Sequence, residues 1–297
     1  MVRNVAPLIR DLDPKDFHLL SGLEHGMRFS EWVNRDTLPS FSRLDPQEVD
    51  HRLDRCMDRE LIERETLQYE GFRLKFEGYD ALALHTFSER ETVTAVGSPL
   101  GEGKESDVFE GMGTDPIAIK FHREGLTNFR EVHRERDYTA DHDHNSWLYT
   151  ARKAAEREYE VLETLWGDVS VPEPIDQNRH AIVMELMDGV PLARANVSNP
   201  IACFESIVSD LERTLEAGFV HTDISAYNIL IEGDTPRIFD WPQAVDVSHP
   251  NAGEFLKRDL GNLRSFFVQK APHLEAELAP MSDLTERLAV NLPSDTV

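Results

Sequence analysis

Three side chains between Val220 and Gln243 have the types and spacing for phosphoryl transfer. Asp223 stands two residues after His221 and five before Asn228, and Asp240 follows Asn228 by twelve. A carboxylate at Asp223 can accept or orient the proton of an attacking group. The amide oxygen of Asn228 and the carboxylate of Asp240 are hard donors of the kind that hold Mg2+ against phosphate oxygens. An apolar run, a turn at Gly233 and a second short run separate Asn228 from Asp240. Two short strands are therefore expected to bring the three groups together.

The His-x-Asp-x4-Asn spacing followed by a second Asp is that of protein-kinase-like catalytic centres. Other stretches supply the parts such a centre needs. In Gly97 to Gly111, the residues Gly101, Gly103, Lys104, Ser106 and Val108 follow a kinase glycine-rich loop, with Ser106 in place of the third glycine. Most Gly-x-Gly pairs are ordinary turns, and Glu105 after Lys104 excludes a Walker loop. The strand Ile117-Ala-Ile-Lys120 strengthens the reading, with Lys120 expected on the α- and β-phosphates. Without the loop before it, Lys120 would read as an edge-strand lysine. A helix from Thr150 to about Trp166, apolar at Ala154, Ala155, Tyr159, Leu162 and Leu165, offers Glu158 as the ion-pair partner of Lys120. Glu156 and Glu160 lean to other faces. The buried strand Ala181 to Leu186 leads into Met187-Asp-Gly, where the Glu185 carbonyl and Met187 amide would read adenine with Met184 behind. A helix from Ala202 to Gly218 delivers the chain to the catalytic turn.

Asp240 is followed by Trp-Pro-Gln and then almost directly by a helix, Glu254 to Gln269, so no substrate-binding activation segment is expected. A last helix is expected over Ser282 to Leu292. His122 to Tyr149 lacks periodicity and is expected to be a mobile segment over the active site. Its Asp141-His-Asp-His144 run could bind zinc, but alternating polar neighbours usually point apart into water.

The N-terminal 90 residues have a different plan. The pattern predicts a first helix from Asp13 to Gly26, a short helix from Ser30, and a third from Leu44 to Met57. That third helix has Asp45 as N-cap, Pro46 at its first position and Glu48 completing a capping box. Val49, Leu53 and Met57 form its buried stripe, and Arg52, Arg55 and Arg59 lie on another face. Two strands, Leu61 to Leu67 and Phe72 to Phe76, follow, with Gly71 available for a positive φ. A helix from Gly78 to Phe87 and a linker from Ser88 to Ala95 complete the segment. This is the plan of a winged helix-turn-helix module whose third helix is the candidate recognition element. The segment is itself acidic, with 18 carboxylates against 13 cations up to Arg90, so the arginine face reads equally well as a packing or solvated surface.

The whole chain is acidic: 55 Asp and Glu against 31 Lys and Arg, 24 of them Arg, for a net charge of −24 over 297 residues. Such a surface repels itself at low salt, and molar salt removes the repulsion. A halophilic protein is the expectation, with an acidic mesophile protein as the alternative. No run suits a membrane span, and the charges in MVRNVAPLIRDLDP replace the apolar core of a signal peptide, so a cytoplasmic location is expected. Cys56 and Cys203 are far apart on amphipathic segments, which suggests two buried reduced thiols.

The stretches GEGKESDVF, HTDISAYNIL and FDWPQAV, with the N-terminal module, resemble the RIO kinases, specifically the archaeal type of the RIO2 group. The resemblance implies an α+β protein, a winged helix-turn-helix domain over 1–88 and a trimmed bilobal kinase-like domain over 89–297, its N-lobe about 95–186 and C-lobe about 187–297. It implies ATP bound between lobes with Mg2+, or Mn2+ in its place. Lys120 and Glu158 would form the ion pair, Ser106 would help hold phosphate, Asp223 would be catalytic, and Asn228 and Asp240 would bind metal. It also implies serine/threonine kinase and ATPase activity in small-subunit maturation, with the ribosomal precursor, its RNA and proteins, met through the winged helix. Trp241 and Ala226 depart from the residues usual in the family. Asp-Trp also occurs in aminoglycoside and choline phosphotransferases, which makes a small-molecule kinase one rival; a non-catalytic, ATP-sensing nucleic-acid-binding module is another.

Overall fold

A computed structural model describes residues 6–66, 68–103, 105–124, 147–290 and 292. Its contacts divide the chain into two units, Met1–Glu156 with Ile175–Met184, and Arg157–Pro174 with Glu185–Val297.

The first unit begins with α1 (Ala6–Ile9) and α2 (Pro14–Gly26). Asp13 caps α2 and Asp16 returns the bond, so the reciprocal capping box lies here. Strand β1 (Val33–Asn34) and α3 (Leu38–Ser42) follow. The short helix predicted from Ser30 therefore starts eight residues later, because Val33 and Asn34 pair with Phe72 and Gly71. Helix α4 (Pro46–Asp58) has Asp45 as its N-cap. Glu48 does not close the predicted box; its carboxylate takes Lys15 at 2.7 Å and Arg52 at 2.5 Å.

The buried stripe of α4 is Val49, Leu53 and Cys56, with Met57 only partly covered. Strands β2 (Ile62–Thr66) and β3 (Glu70–Leu74) complete an antiparallel sheet in the order β1-β3-β2. Gly71 lacks the predicted positive φ. Its bare Cα instead lets the backbone pass Trp32, whose Cβ would sit 2.9 Å from an added methyl.

Helix α5 (Phe76–Glu89) starts two residues before the predicted one. Its Ala83, Leu84 and Phe87 share a core with Phe109, Ile117, Ile119, Phe121, Ala181 and Val183 of the next sheet. That sheet comprises β4 (Ala95–Glu102), β5 (Ser106–Met112), β6 (Pro116–His122), β7 (Pro174–Asn178) and β8 (Ala181–Glu185), in the order β4-β5-β6-β8-β7. Helix α6 (Trp147–Leu165) begins three residues before the predicted start and contributes residues to both units.

The second unit adds β9 (Val190–Pro191), α7 (Pro200–Glu216), β10 (Phe219–Val220), β11 (Ile229–Glu232), β12 (Thr235–Ile238), β13 (Val245–Asp246), α8 (Ala252–Lys270) and α9 (Met281–Ala289). The sheet order β12-β11-β9 and the pair β10–β13 make two small ladders packed with α7 and α8. Cys56 and Cys203 are both free and buried. No helix among the described residues is long and apolar enough to cross a membrane.

Candidate active site

In the first unit, β4 and β5 form the hairpin that carries the glycine turn. Gly101 lies opposite Val108 and Glu102 opposite Asp107. The Gly103 N–H donates to the Ser106 carbonyl at 2.8 Å, closing the turn, and a side chain at Gly101 would meet nothing within 4 Å. The loop thus leaves open space above Gly101 where a ligand's phosphates can approach backbone. Lys104 lies outside the described residues. Register then places Lys120 across from Val108, with the lysine side chain buried.

A polar network missed at the sequence level braces this turn. Arg123 donates from Nε to Asp107 at 2.6 Å and from both terminal nitrogens to Asp80 of α5 at 2.6 and 2.8 Å. The Arg123 N–H also bonds the Glu105 carbonyl at 2.7 Å, so one residue holds both sides of Ser106. His180 donates from Nε2 to Asp80 at 2.7 Å, leaving Nδ1 without a partner. Burial pushes His180 down to about 4, against the pull of Asp80, so it is neutral near pH 7. Burial alone would raise Asp80, but Arg123 and His180 hold it below its ordinary value. The available signal was an arginine directly after a buried strand, three residues beyond Lys120.

In the second unit, β10 ends at Val220 and the chain makes the catalytic turn. His221 is fully buried; its Nε2 donates to the Phe239 carbonyl at 3.2 Å and its Nδ1 accepts the Asp223 N–H at 3.2 Å. Those two bonds fix the neutral tautomer with hydrogen on Nε2. Burial lowers its pKa, opposed by the Phe239 carbonyl and by the Asp240, Asp223 and Glu158 charges. Asn228 donates from Nδ2 to Asp223 Oδ2 and to the Asp223 carbonyl, both at 2.9 Å. Its nitrogen is thereby committed, and Oδ1 remains as the acceptor for a cation. The ladder Ile229↔Ile238 continues into a bond from the Phe239 N–H to the Asn228 carbonyl at 3.1 Å. That ladder sets Phe239 opposite Asn228, and Asp240 follows one residue later.

Two non-glycine residues at this turn have positive φ, Thr222 at 68° and Asp240 at 70°. Such backbone is costly, most of all for β-branched threonine, and must be held by its surroundings. Thr222 donates from Oγ1 to the Gln243 carbonyl at 2.9 Å, and Arg258 of α8 donates to the Thr222 carbonyl. The Trp241 N–H donates to Glu158 Oε1 at 3.0 Å, and its indole nitrogen reaches the Ile238 carbonyl at 3.3 Å. Trp241 is completely buried, with its ring 4.3 Å from that of His221. This departure from the usual residue therefore alters the packing under the turn and not an exposed substrate face.

Asp259 of α8 is the second residue sequence reasoning missed. It is buried among Leu256, Leu260 and Leu263, and its pKa is pushed up to about 6. Burial is the main cause, and the Asp223 charge adds to it. Arg258 and backbone bonds from Ile224 and Thr222 of the catalytic turn act in the opposite direction. An acidic residue within the apolar stripe of a helix was the available signal.

Of the residues predicted to read adenine, Met184 and Glu185 end β8, where the Glu185 N–H bonds the Glu173 carbonyl at 2.9 Å. The Glu185 carboxylate is held by Arg237 at 2.6 and 2.7 Å. Met187 follows outside any element, and its N–H makes no hydrogen bond among the described residues. The segment predicted to be mobile, His122 to Tyr149, is ordered at both ends, where His122 closes β6 and Trp147 to Tyr149 open α6; the rest of it from 125 to 146, with the Asp141 to His144 run, lies outside the described residues. Among those described, no cluster of three His, Cys, Asp or Glu side chains could hold a metal alone. The donor set at the turn is instead one carboxylate and one amide oxygen, which suits Mg2+ completed by phosphate and water.

A glycine hairpin with a buried strand lysine in one unit, and a strand-braced Asp-Asn-Asp turn in the other, define a protein-kinase-like phosphotransferase. The comparisons make this more particular. The RIO domain model matches residues 107–279 and the Rio2 N-terminal model matches 9–90. The chain is 39% identical to the RIO-type serine/threonine-protein kinase Rio2 of Methanocaldococcus jannaschii, over 81% of this chain and 92% of the relative. It is 34% identical to the serine/threonine-protein kinase rio2 of Schizosaccharomyces pombe, over 90% and 79%. The solved Rio2 kinase–ADP/Mg2+–phosphoaspartate complex of Chaetomium thermophilum superposes with a TM-score of 0.81 at 31% identity, covering 95% of this chain and 88% of that one. The chain belongs to the RIO family of atypical serine/threonine-protein kinases, in its Rio2 group.

Proposed function

We propose that this chain is an ATP- and magnesium-dependent protein kinase with ATPase turnover, and that it acts on the precursor of the small ribosomal subunit. The observation that carries the chemistry is the preassembled catalytic turn, with Asn228 Nδ2 on Asp223 Oδ2 at 2.9 Å and the His221 tautomer fixed beneath it. Asp223 is oriented by Asn228 and accepts or directs the proton of the attacking group. Asn228 Oδ1 and the Asp240 carboxylate would hold Mg2+, whose charge would offset that on the phosphates. Backbone around Gly101 and Gly103, with Ser106 and Lys120, would hold the phosphates. Lys120 and Glu158 are assigned as the ion pair, and the Met187 N–H with the Glu185 carbonyl as the adenine contacts. The turn sequence has no arginine between His221 and Asp223 to read an activation-loop phosphate. The site therefore needs no phosphorylation to assemble.

The Chaetomium thermophilum relative was solved with ADP, Mg2+ and phosphoaspartate, and we assign the corresponding acceptor here to Asp240. An Asp240 oxygen would form the bond to the γ-phosphorus as the bond to ADP breaks, and water would later release inorganic phosphate. Trapping the enzyme with γ-labelled ATP tests this. The expected label is hydroxylamine-labile and absent from Asp240→Asn. A label stable to hydroxylamine would place the phosphate on a hydroxyl instead.

The ribosomal precursor is assigned to the N-terminal module, though not to the arginine face of α4. Arg52 is bound to Asp13, Asp16 and Glu48, and Arg55 to Asp16 and the Asp11 carbonyl. The exposed residues of α4 include Gln47, His51, Asp54 and Asp58, a surface that repels phosphate.

A further inference from the structure

In the first unit a cavity of about 760 Å³ opens between α2, the first turns of α6 and the β7–β8 turn. The protein carries a net charge of −24, yet this cavity is lined by four permanent cations, Arg28, Arg152, Lys153 and Arg179, against two carboxylates, Glu24 and Glu156. Glu156 is shared, taking Arg152 Nε at 2.8 Å and Lys153 Nζ at 2.7 Å, so it neutralises only one of the two. Arg28 is exposed and has no ion pair or side-chain hydrogen bond among the described residues. Arg179 forms a fixed wall: it sits at φ 53° and bonds Glu24 at 2.8 Å, Thr86 at 3.1 Å and Asn178 at 2.6 Å.

A second polar group lines the same cavity. Tyr79 is 2% exposed as a residue, and its hydroxyl makes no hydrogen bond among the described residues. The hydroxyl oxygen is not among the buried polar atoms left without a partner, so it is open to the cavity and free to donate to a ligand oxygen. The ring itself is locked, stacked on His180 with centroids 4.3 Å apart. At the rim, Tyr149 is 51% exposed, with Lys153 Nζ 5.8 Å from its ring centroid.

We propose that this cavity is a binding site for a phosphate-bearing ligand, distinct from the catalytic turn. Arg28, Arg152 and Lys153 meet the phosphate charge, the Tyr79 hydroxyl donates to a phosphate oxygen, and Tyr149 offers a face on which a base can stack. An RNA strand and a free oligophosphate share this chemistry. The site does not depend on the phosphoryl-transfer reading. Its partner reading overlaps that of the ribosomal precursor only in that both involve RNA.

The test titrates the full chain with a fluorescent oligouridylate and, separately, with tripolyphosphate, at the lowest KCl concentration that keeps it folded. Low salt matters because phosphate contacts weaken as salt rises. Arg28→Glu with Lys153→Glu should weaken whichever probe binds by about tenfold or more, and Tyr79→Phe by about threefold to tenfold. ATP turnover should be unchanged in the double variant, which separates failure of this site from failure of the catalytic reading. Binding of oligouridylate alone would assign the site to a nucleic-acid strand, and binding of tripolyphosphate to a free oligophosphate. If the wild-type protein binds neither, or if the double variant binds as tightly as the wild type, the proposal is overturned.

Discussion

His221 fixes the backbone that carries the Asp223 side chain. Its two ring nitrogens tie the Asp223 N–H to the Phe239 carbonyl, so the strands on either side of the turn are fixed through one neutral ring. The short strand pair between Asn228 and Asp240, and the closeness of Asn228 to Asp223, were legible in the sequence because both are local. Asp259 was not, because its role depends on contact between α8 and the turn, which no local pattern encodes. Its titration gives a prediction. The folded-state value of about 6 lies above the ordinary 3.8, so between these values the folded chain holds a proton that the unfolded chain has lost. Stability from this group is present below about pH 4 and is lost as pH rises towards 6. Asp259→Asn should remove that slope. Urea unfolding from pH 4 to 7 should show the variant gaining on the wild type by up to about 3 kcal/mol. Parallel curves would show that Asp259 does not titrate in this way.

At the scale of elements, local signals located helices and strands well but could not say which distant partners their polar faces meet. The cap at Asp45, the proline at 46 and the i+4 apolar spacing located α4 correctly. The arginines on its other face read equally well as a recognition or a packing surface, and Arg52 and Arg55 pack, pairing with Asp13 and Asp16 at the start of α2. Spacing could not decide between the two because those carboxylates lie more than thirty residues away. Glu48 likewise left its predicted box for two cations. The Arg123 network was invisible for the same reason: Asp80, Asp107 and His180 come from three elements. It joins α5 of the N-terminal module to the glycine hairpin inside one unit. Removing its only arginine leaves two carboxylates buried without a counter-charge, so Arg123→Met should cost about 3–5 kcal/mol in unfolding free energy. Adding Asp80→Asn should return part of that loss. A cost below about 1 kcal/mol would show that the network does not brace the hairpin.

The whole molecule is set apart by its charge. Carboxylates outnumber cations by 24, and many of the arginines that could offset them form internal bridges such as those of Arg52, Arg73 and Arg123. The remaining surface repels itself through a field that salt screens. Thermal melts should therefore show a higher Tm in molar KCl than in low salt, and the reverse order would exclude adaptation to a saline interior. Beyond charge, the turn from His221 to Asp240 is proposed to work as a phosphoryl-transfer centre and not as an ATP sensor. The most direct measurement pairs ATP turnover with ATP–magnesium affinity for the wild type and Asp223→Ala in high salt. Turnover should fall by about 10²–10⁴-fold, while affinity stays within a small factor, because the role proposed for Asp223 is on the attacking group and not on the bound nucleotide. A wild-type protein that binds ATP–magnesium without turning it over, alone or with small ribosomal subunits, would contradict the account, as would an Asp223→Ala variant that retains full turnover.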